Sequence, residues 1–228
     1  MAKKTKTPSH GAIMSFWTDV PPSKERDFNA WYDTEHLPER VAVPGFQCGI
    51  RYVSLRAKPK YMAFYEIDTP EVLSGRAYLG RLNDPTPWTQ RTMRTVINGQ
   101  RVVYRPAFDA GLGHGGVLFS HRFASDATIE KVRGVLQPRL EQLATKLQRV
   151  RLWRSDTALS DVESEERRLR GDAPSPQSWC VVAEATTLVA MEQALKRHPL
   201  EPPLRKIAAG PVKQGRYRLL SYLRAGEY

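Results

Sequence analysis

The sequence predicts an α+β fold of two tandem ferredoxin-like βαββαβ units, with two four-stranded antiparallel sheets packed face to face. Three observations predict it. Strand and helix patterns follow that order across residues 11–109, and they return in the same order across residues 116–228. Runs such as Ala63-Phe64-Tyr65 and Val181-Val182-Ala183 are apolar on both sides of a strand, so each sheet needs cover on both faces.

The first unit opens with an apolar strand at residues 12–18. Ser23 is a suitable N-cap for a helix over residues 24–37, on which Phe28, Tyr32 and His36 recur every four residues and share a face. Pro38 and then Pro44-Gly45 stop that helix and turn the chain. Strands over residues 46–55 and 61–67 flank a turn at Lys58-Pro59-Lys60. A second helical region runs from Thr69 to Leu82, is interrupted by Asn83-Asp84-Pro85-Thr86-Pro87, and resumes over residues 88–95. Asn98-Gly99 leads into a last strand at residues 101–108.

In the second unit, Gly116-Val117-Leu118 mirrors Gly11-Ala12-Ile13, and a helix over residues 128–147 takes the first helix's place. A strand follows at residues 150–155. The segment from Trp179 aligns with that from Tyr61, residues 189–198 are helical, and Gly215-Arg216-Tyr217 aligns with Gly99-Gln100-Arg101. Residues 160–177 are rich in Glu, Arg, Ser and Pro without apolar period and read as a mobile loop. Residues 110–115 read as a linker, and its glycines are too irregular for a phosphate site. Residues 1–10 read as a basic flexible tail.

The 228 residues carry a net charge of +11, with 41% hydrophobic and 26% charged residues, the proportions of a water-soluble chain. No apolar run is long enough to cross a bilayer, and the basic N-terminus lacks a signal peptide's apolar region. Cytoplasm and no membrane contact are the expectation. The basic residues are scattered rather than striped among aromatics, so no nucleic-acid partner is expected. Cys48 and Cys180 read as buried free thiols, and no His or Cys spacing announces a metal. The expectation is therefore no metal and no cofactor.

Trp31-Tyr32-Asp33-Thr34-Glu35-His36-Leu37-Pro38, followed by Pro44-Gly45-Phe46 and strands, resembles the dimeric α/β-barrel superfamily, specifically its EthD-like members. The chain looks like a fused pair of the family's single unit, an intramolecular α/β barrel. Fused barrels can pair again as homodimers through their outer helices. The resemblance implies a pocket with His36 near its mouth, where relatives move protons on small aromatic or polyketide-like substrates. The superfamily also holds monooxygenases, haem-handling enzymes and members without known chemistry. The second half has Gln137-Pro138-Arg139-Leu140 in place of the motif, so one site per chain is expected.

His36 is the candidate general acid/base, or else it caps the helix end. Tyr32 is the second catalytic candidate, placed to donate a phenolic hydrogen bond to a substrate oxygen, or else it is a core aromatic. Arg51 is placed to bind a carboxylate or enolate, unless it faces outward. Tyr65 and Glu66 are neighbours on a strand, so one of them faces the interior, where a buried Glu66 would have a raised pKa and serve as a base. Glu184 in the matching place argues for a shared structural role instead. His121 would face the same cavity from the other sheet, and Trp88 would form a lid or plug the core. The leading functional reading is a cofactor-independent lyase, isomerase or cyclase of a small-molecule substrate. The alternatives are a non-catalytic ligand-binding or stress-related barrel and a cofactor-free monooxygenase.

Overall fold

A computed structural model describes residues 10–56, 58–171 and 178–227. The strands are β1 (Ala12–Asp19), β2 (Phe46–Ser54), β3 (Tyr61–Ile67), β4 (Ile97–Gly111), β5 (Val117–Phe123), β6 (Arg149–Ser155), β7 (Trp179–Ala185) and β8 (Lys213–Arg224). The helices are α1 (Glu25–Trp31), α2 (Leu37–Val41), α3 (Arg76–Asn83), α4 (Pro87–Met93), α5 (Ile129–Ala144), α6 (Thr157–Ser160), α7 (Glu165–Arg170), α8 (Leu188–Arg197) and α9 (Glu201–Leu204). None of the described helices is long and apolar enough to cross a membrane.

The eight strands form one closed barrel in the order β1-β3-β2-β8-β5-β7-β6-β4. Each half contributes its strands in the same internal sequence: the last, first, third and second strand lie side by side. The expectation of two sheets stacked face to face is thereby corrected. The halves join edge to edge, through antiparallel ladders between β2 and β8 and between β4 and β6. Closure satisfies backbone donors that separate sheets would leave open at their edges. The cover needed by the strands' second face comes from the barrel's own interior.

Among the described residues, that interior is packed with side chains. Ile13, Trp17, Ile50, Tyr52, Phe64, Tyr104, Trp153 and Tyr217 are buried there in one cluster. Outside the barrel, one apolar cluster joins the first half's sheet to α1, α3 and their neighbours, and another joins the second half's sheet to α5 and α8. Leu136, Leu140 and Leu143 of α5 are fully buried, and each such side chain contributes about 1.5–3 kcal/mol.

Several element boundaries differ from the sequence reading. β4 continues to Gly111, so the supposed linker begins inside a strand. It pairs β1 with its first part and β6 with its second. Gly111 has φ +122°, and a Cβ there would lie 2.2 Å from the Gln148 carbonyl oxygen, so the strand end requires glycine. Tyr217 stands opposite Leu118 as Tyr104 stands opposite Ile13, so the counterpart of Tyr217 is Tyr104 rather than Arg101. The stretch read as a loop carries α7, whose N-cap Ser164 accepts from the Arg167 N–H, and α6, capped by Asp156 accepting from the Leu159 N–H, leads into it. Residues 172–177 of that stretch lie outside the described residues. So do residues 1–9 of the supposed tail, whereas His10 is buried.

Candidate functional site

The motif helix neither starts nor ends as expected. Residues Pro22–Lys24 form a 3₁₀ turn without a side-chain cap, and Pro38 does not stop the helix, which runs on to Val41. The chain passes Pro38 by way of a π-turn over Tyr32–His36, where the Leu37 N–H donates to the Tyr32 carbonyl. A proline ring clashes with the carbonyl four residues back, and a widened turn just before it removes the clash. His36 is therefore not a cap. Its ring lies 4.3 Å from that of Trp31 and 5.0 Å from that of Tyr32.

His36 lines a small cavity of ≈ 20 Å³ between the outer face of the first half's sheet and its helices, not the barrel interior. Tyr32 and Tyr65 line it too, and the Tyr65 hydroxyl donates to that of Tyr32 at 3.3 Å. Burial raises the pKa of both phenols. Burial also holds the His36 imidazole well below its ordinary pKa, reinforced by the cations Arg40, Arg170 and Arg51, so the ring is neutral. Sequence reasoning missed Arg40, Arg101 and Glu166 in the same wall. Arg40 is 1% exposed and ion-paired to Glu166 of α7, so the second half's insertion completes the first half's pocket. No apolar period announces Glu166, which explains why the sequence hid it.

Three residues of this lining each carry a buried polar atom without a hydrogen-bond partner among the described residues: His36 Nδ1, Arg40 Nη1 and Arg101 Nη2. Arg40 Nη1 has only a distant carboxylate, Glu39 Oε2 at 3.9 Å. Arg101 is otherwise engaged, through Nε to the Tyr78 hydroxyl at 3.2 Å and Nη1 to the Leu159 carbonyl at 2.8 Å. An imidazole acceptor and two guanidinium donors in an aromatic wall are equipped to take a proton and hold the anion that results.

The remaining candidates lie elsewhere. Arg51 is buried beneath α1, ion-paired to Asp33, donating to Asn29 Oδ1 at 2.8 Å and stacked 4.2 Å from the Tyr32 ring. It supports the site from behind rather than offering a free cation. Glu66 points into the barrel, as its neighbour Tyr65 points out. Burial pushes its pKa up, but Arg151 and Arg149 outweigh that and lower it, so the expected raised pKa and base role are corrected. Glu184 is held at about 2 by Arg151, against burial. Trp88 is half-buried on α4, donates to Asp27 Oδ1 at 3.1 Å and does not line the cavity, so it is no lid.

His121 does not face the cavity of His36. It lines a separate groove of ≈ 300 Å³ with Glu192, Lys196, Glu201 and Arg216 outside the second half's sheet. Neither of these two sites fits a haem: the His36 cavity is far too small for a macrocycle, and the His121 groove is walled by ionised groups.

No family model matches the sequence, and no curated protein matches it. Solved structures do. An anthrone oxidase-like protein superposes with a TM-score of 0.68 at 11% identity, covering 98% of this chain and 97% of that one. A provisionally named monooxygenase from Fusobacterium nucleatum gives 0.63 at 9% identity, covering 97% and 98%. A mutant chlorite dismutase from Candidatus Nitrospira defluvii gives 0.51 at 14%, covering 92% of each chain. This chain is thus similar in fold, over nearly its whole length, to α+β barrel proteins of those descriptions.

Proposed function

We propose that the pocket between the first half's sheet and α1–α4 binds a small aromatic ketone or phenol, and that the chain is a cofactor-free oxygenase. The unpartnered His36 Nδ1, Arg40 Nη1 and Arg101 Nη2, on three residues lining one cavity, carry this reading. Neutral His36 takes a proton from a CH₂ conjugated with the substrate carbonyl, as across the central ring of an anthrone, and the two guanidinium groups stabilise the enolate oxygen. The enolate passes electrons to O₂ and forms a peroxide at that carbon. His36 returns its proton to the outer peroxide oxygen, then takes the second C–H proton as the O–O bond breaks and passes it to the departing hydroxide, so one CH₂ and one O₂ give one C=O and one water.

The lyase, isomerase and cyclase reading shares the first proton transfer and differs in the anion's fate. The names of the fold neighbours favour oxygenation. A filled barrel agrees with the non-catalytic alternative, but the pocket lies outside the barrel. A cavity of ≈ 20 Å³ holds about one water, so an aromatic substrate enters by displacing the wall that α7 forms. The equal strand order in both halves supports tandem ferredoxin-like units, with boundaries near residues 11–109 and 116–228. The EthD-like resemblance still rests on residues 31–38 and 44–46.

An oxygen electrode tests the reading with an anthrone as probe. One O₂ consumed per ketone formed is expected, with His36→Gln slowing turnover by about 10²-fold or more at nearly unchanged melting temperature. Equal turnover by His36→Gln, or no oxygen-dependent turnover and no aromatic-ketone binding by the wild type, overturns it.

A further inference from the structure

One end of the barrel holds a cluster that the pocket chemistry does not use. Cys48 of β2 and Glu66 of β3 stand opposite each other, because the β-bulge between Phe46 and Cys48 sets both side chains inward. The connection between β4 and β5 lays His114 across them, its Nδ1 3.3 Å from Glu184 Oε2 and its Nε2 3.9 Å from Glu66 Oε1. One donor atom each from Cys48, Glu66 and His114 lies within 4.8 Å of the others.

Two further features point to a ligand. His10, 3% exposed, sits beside the cluster with Nδ1 3.7 Å from Glu66 Oε2, and neither ring nitrogen has a hydrogen-bond partner among the described residues. Arg149 and Arg151 both donate to Glu66 Oε1, at 3.1 and 2.7 Å, and this leaves Oε2 turned toward His10. Fixing a carboxylate by one oxygen while the other stays available is how outer groups orient a metal ligand.

The charges agree. Glu66, Asp109 and Glu184 face Arg149 and Arg151, which leaves one negative charge in excess when the histidines are neutral. Burial and Glu66 keep the Cys48 thiol protonated, so an ion binding there displaces that proton, and its two charges cancel the thiolate and the excess carboxylate. Sulfur, imidazole and carboxylate donors together suit zinc and its neighbours rather than magnesium or calcium.

We propose that Cys48, Glu66 and His114, with His10 beside Glu66, form a site for a zinc-class divalent ion at the barrel end. The ion ties β2, β3 and the connection between the halves to one point.

Cobalt(II) titration of the full-length chain, stripped with a chelator and desalted, tests this. One equivalent retained after desalting is expected, with a thiolate-to-cobalt charge-transfer band that zinc(II) abolishes. Cys48→Ser should remove the band and weaken binding at least tenfold, while Cys180→Ser keeps both. Should Cys48→Ser not fold, His114→Ala at the more exposed edge carries the test, with the same tenfold loss expected. No retained equivalent in the folded wild type, a band that survives Cys48→Ser, or unchanged affinity in His114→Ala overturns the proposal.

Discussion

Replacing Arg151 by Met tests how the barrel tolerates ions in its core. Arg151 is fully buried, donates to Glu66 Oε1 at 2.7 Å, is ion-paired to Glu184, and has its guanidinium 4.8 Å from the Phe64 ring and 5.0 Å from that of Trp153. Methionine fills much of the volume but not the charge. Glu66 keeps Arg149, but Glu184, also fully buried, keeps among the described residues the Gly115 N–H at 3.0 Å and His114 at 3.3 Å. Breaking a buried pair on one side costs about 3–5 kcal/mol, because the surviving charge is left in low dielectric. For a chain of this length, about 4 kcal/mol lowers the melting temperature by roughly 12 °C. Urea titration of the wild type, Arg151→Met, Glu184→Gln and the double variant closes the cycle. The double variant should recover about 2 kcal/mol relative to Arg151→Met. A single-variant loss under about 1 kcal/mol, or strict additivity, would refute this account.

Glu166→Gln should destabilise the chain by about 3 kcal/mol, since Arg40 loses its buried counter-charge; a melting temperature within a degree or two of wild type would contradict that. Acid stability follows His121, whose pKa burial lowers from 6.5 to about 4. The unfolded chain takes up that proton first, so stability is full above pH 6.5 and falls through the window down to pH 4. The loss is about 3 kcal/mol from this group, with His36 adding in the same direction. His121→Leu should flatten the slope of unfolding free energy between pH 6.5 and 4, and an identical slope in both chains would remove the explanation.

The periodicity of Phe28, Tyr32 and His36 was enough to place these side chains on one face, and adjacent Tyr65 and Glu66 had to point to opposite sides of a strand. Local geometry makes both inferences safe. The π-turn was not legible, because Pro38 reads equally as a helix stop. Neither was the fate of His121: alternation showed that it faces one side of β5, not which side is the barrel. Glu166 reaches the pocket from a segment whose polar composition carries no pattern at all, and its role exists only through contact with Arg40.

By itself the sequence determined the duplicated order of strands and helices, the place of the motif on its helix, and the choice of one motif-bearing half. Those properties are encoded by local period and by turn residues. Tertiary structure alone decided that the two sheets join at their edges, that the barrel is filled, and that the pocket lies outside it. Edge pairing depends on which unpaired strands meet, and a buried side chain loses or keeps its charge according to neighbours far away in sequence. Arg149 and Arg151, brought against Glu66 across the barrel, turned an expected base into a fixed anion.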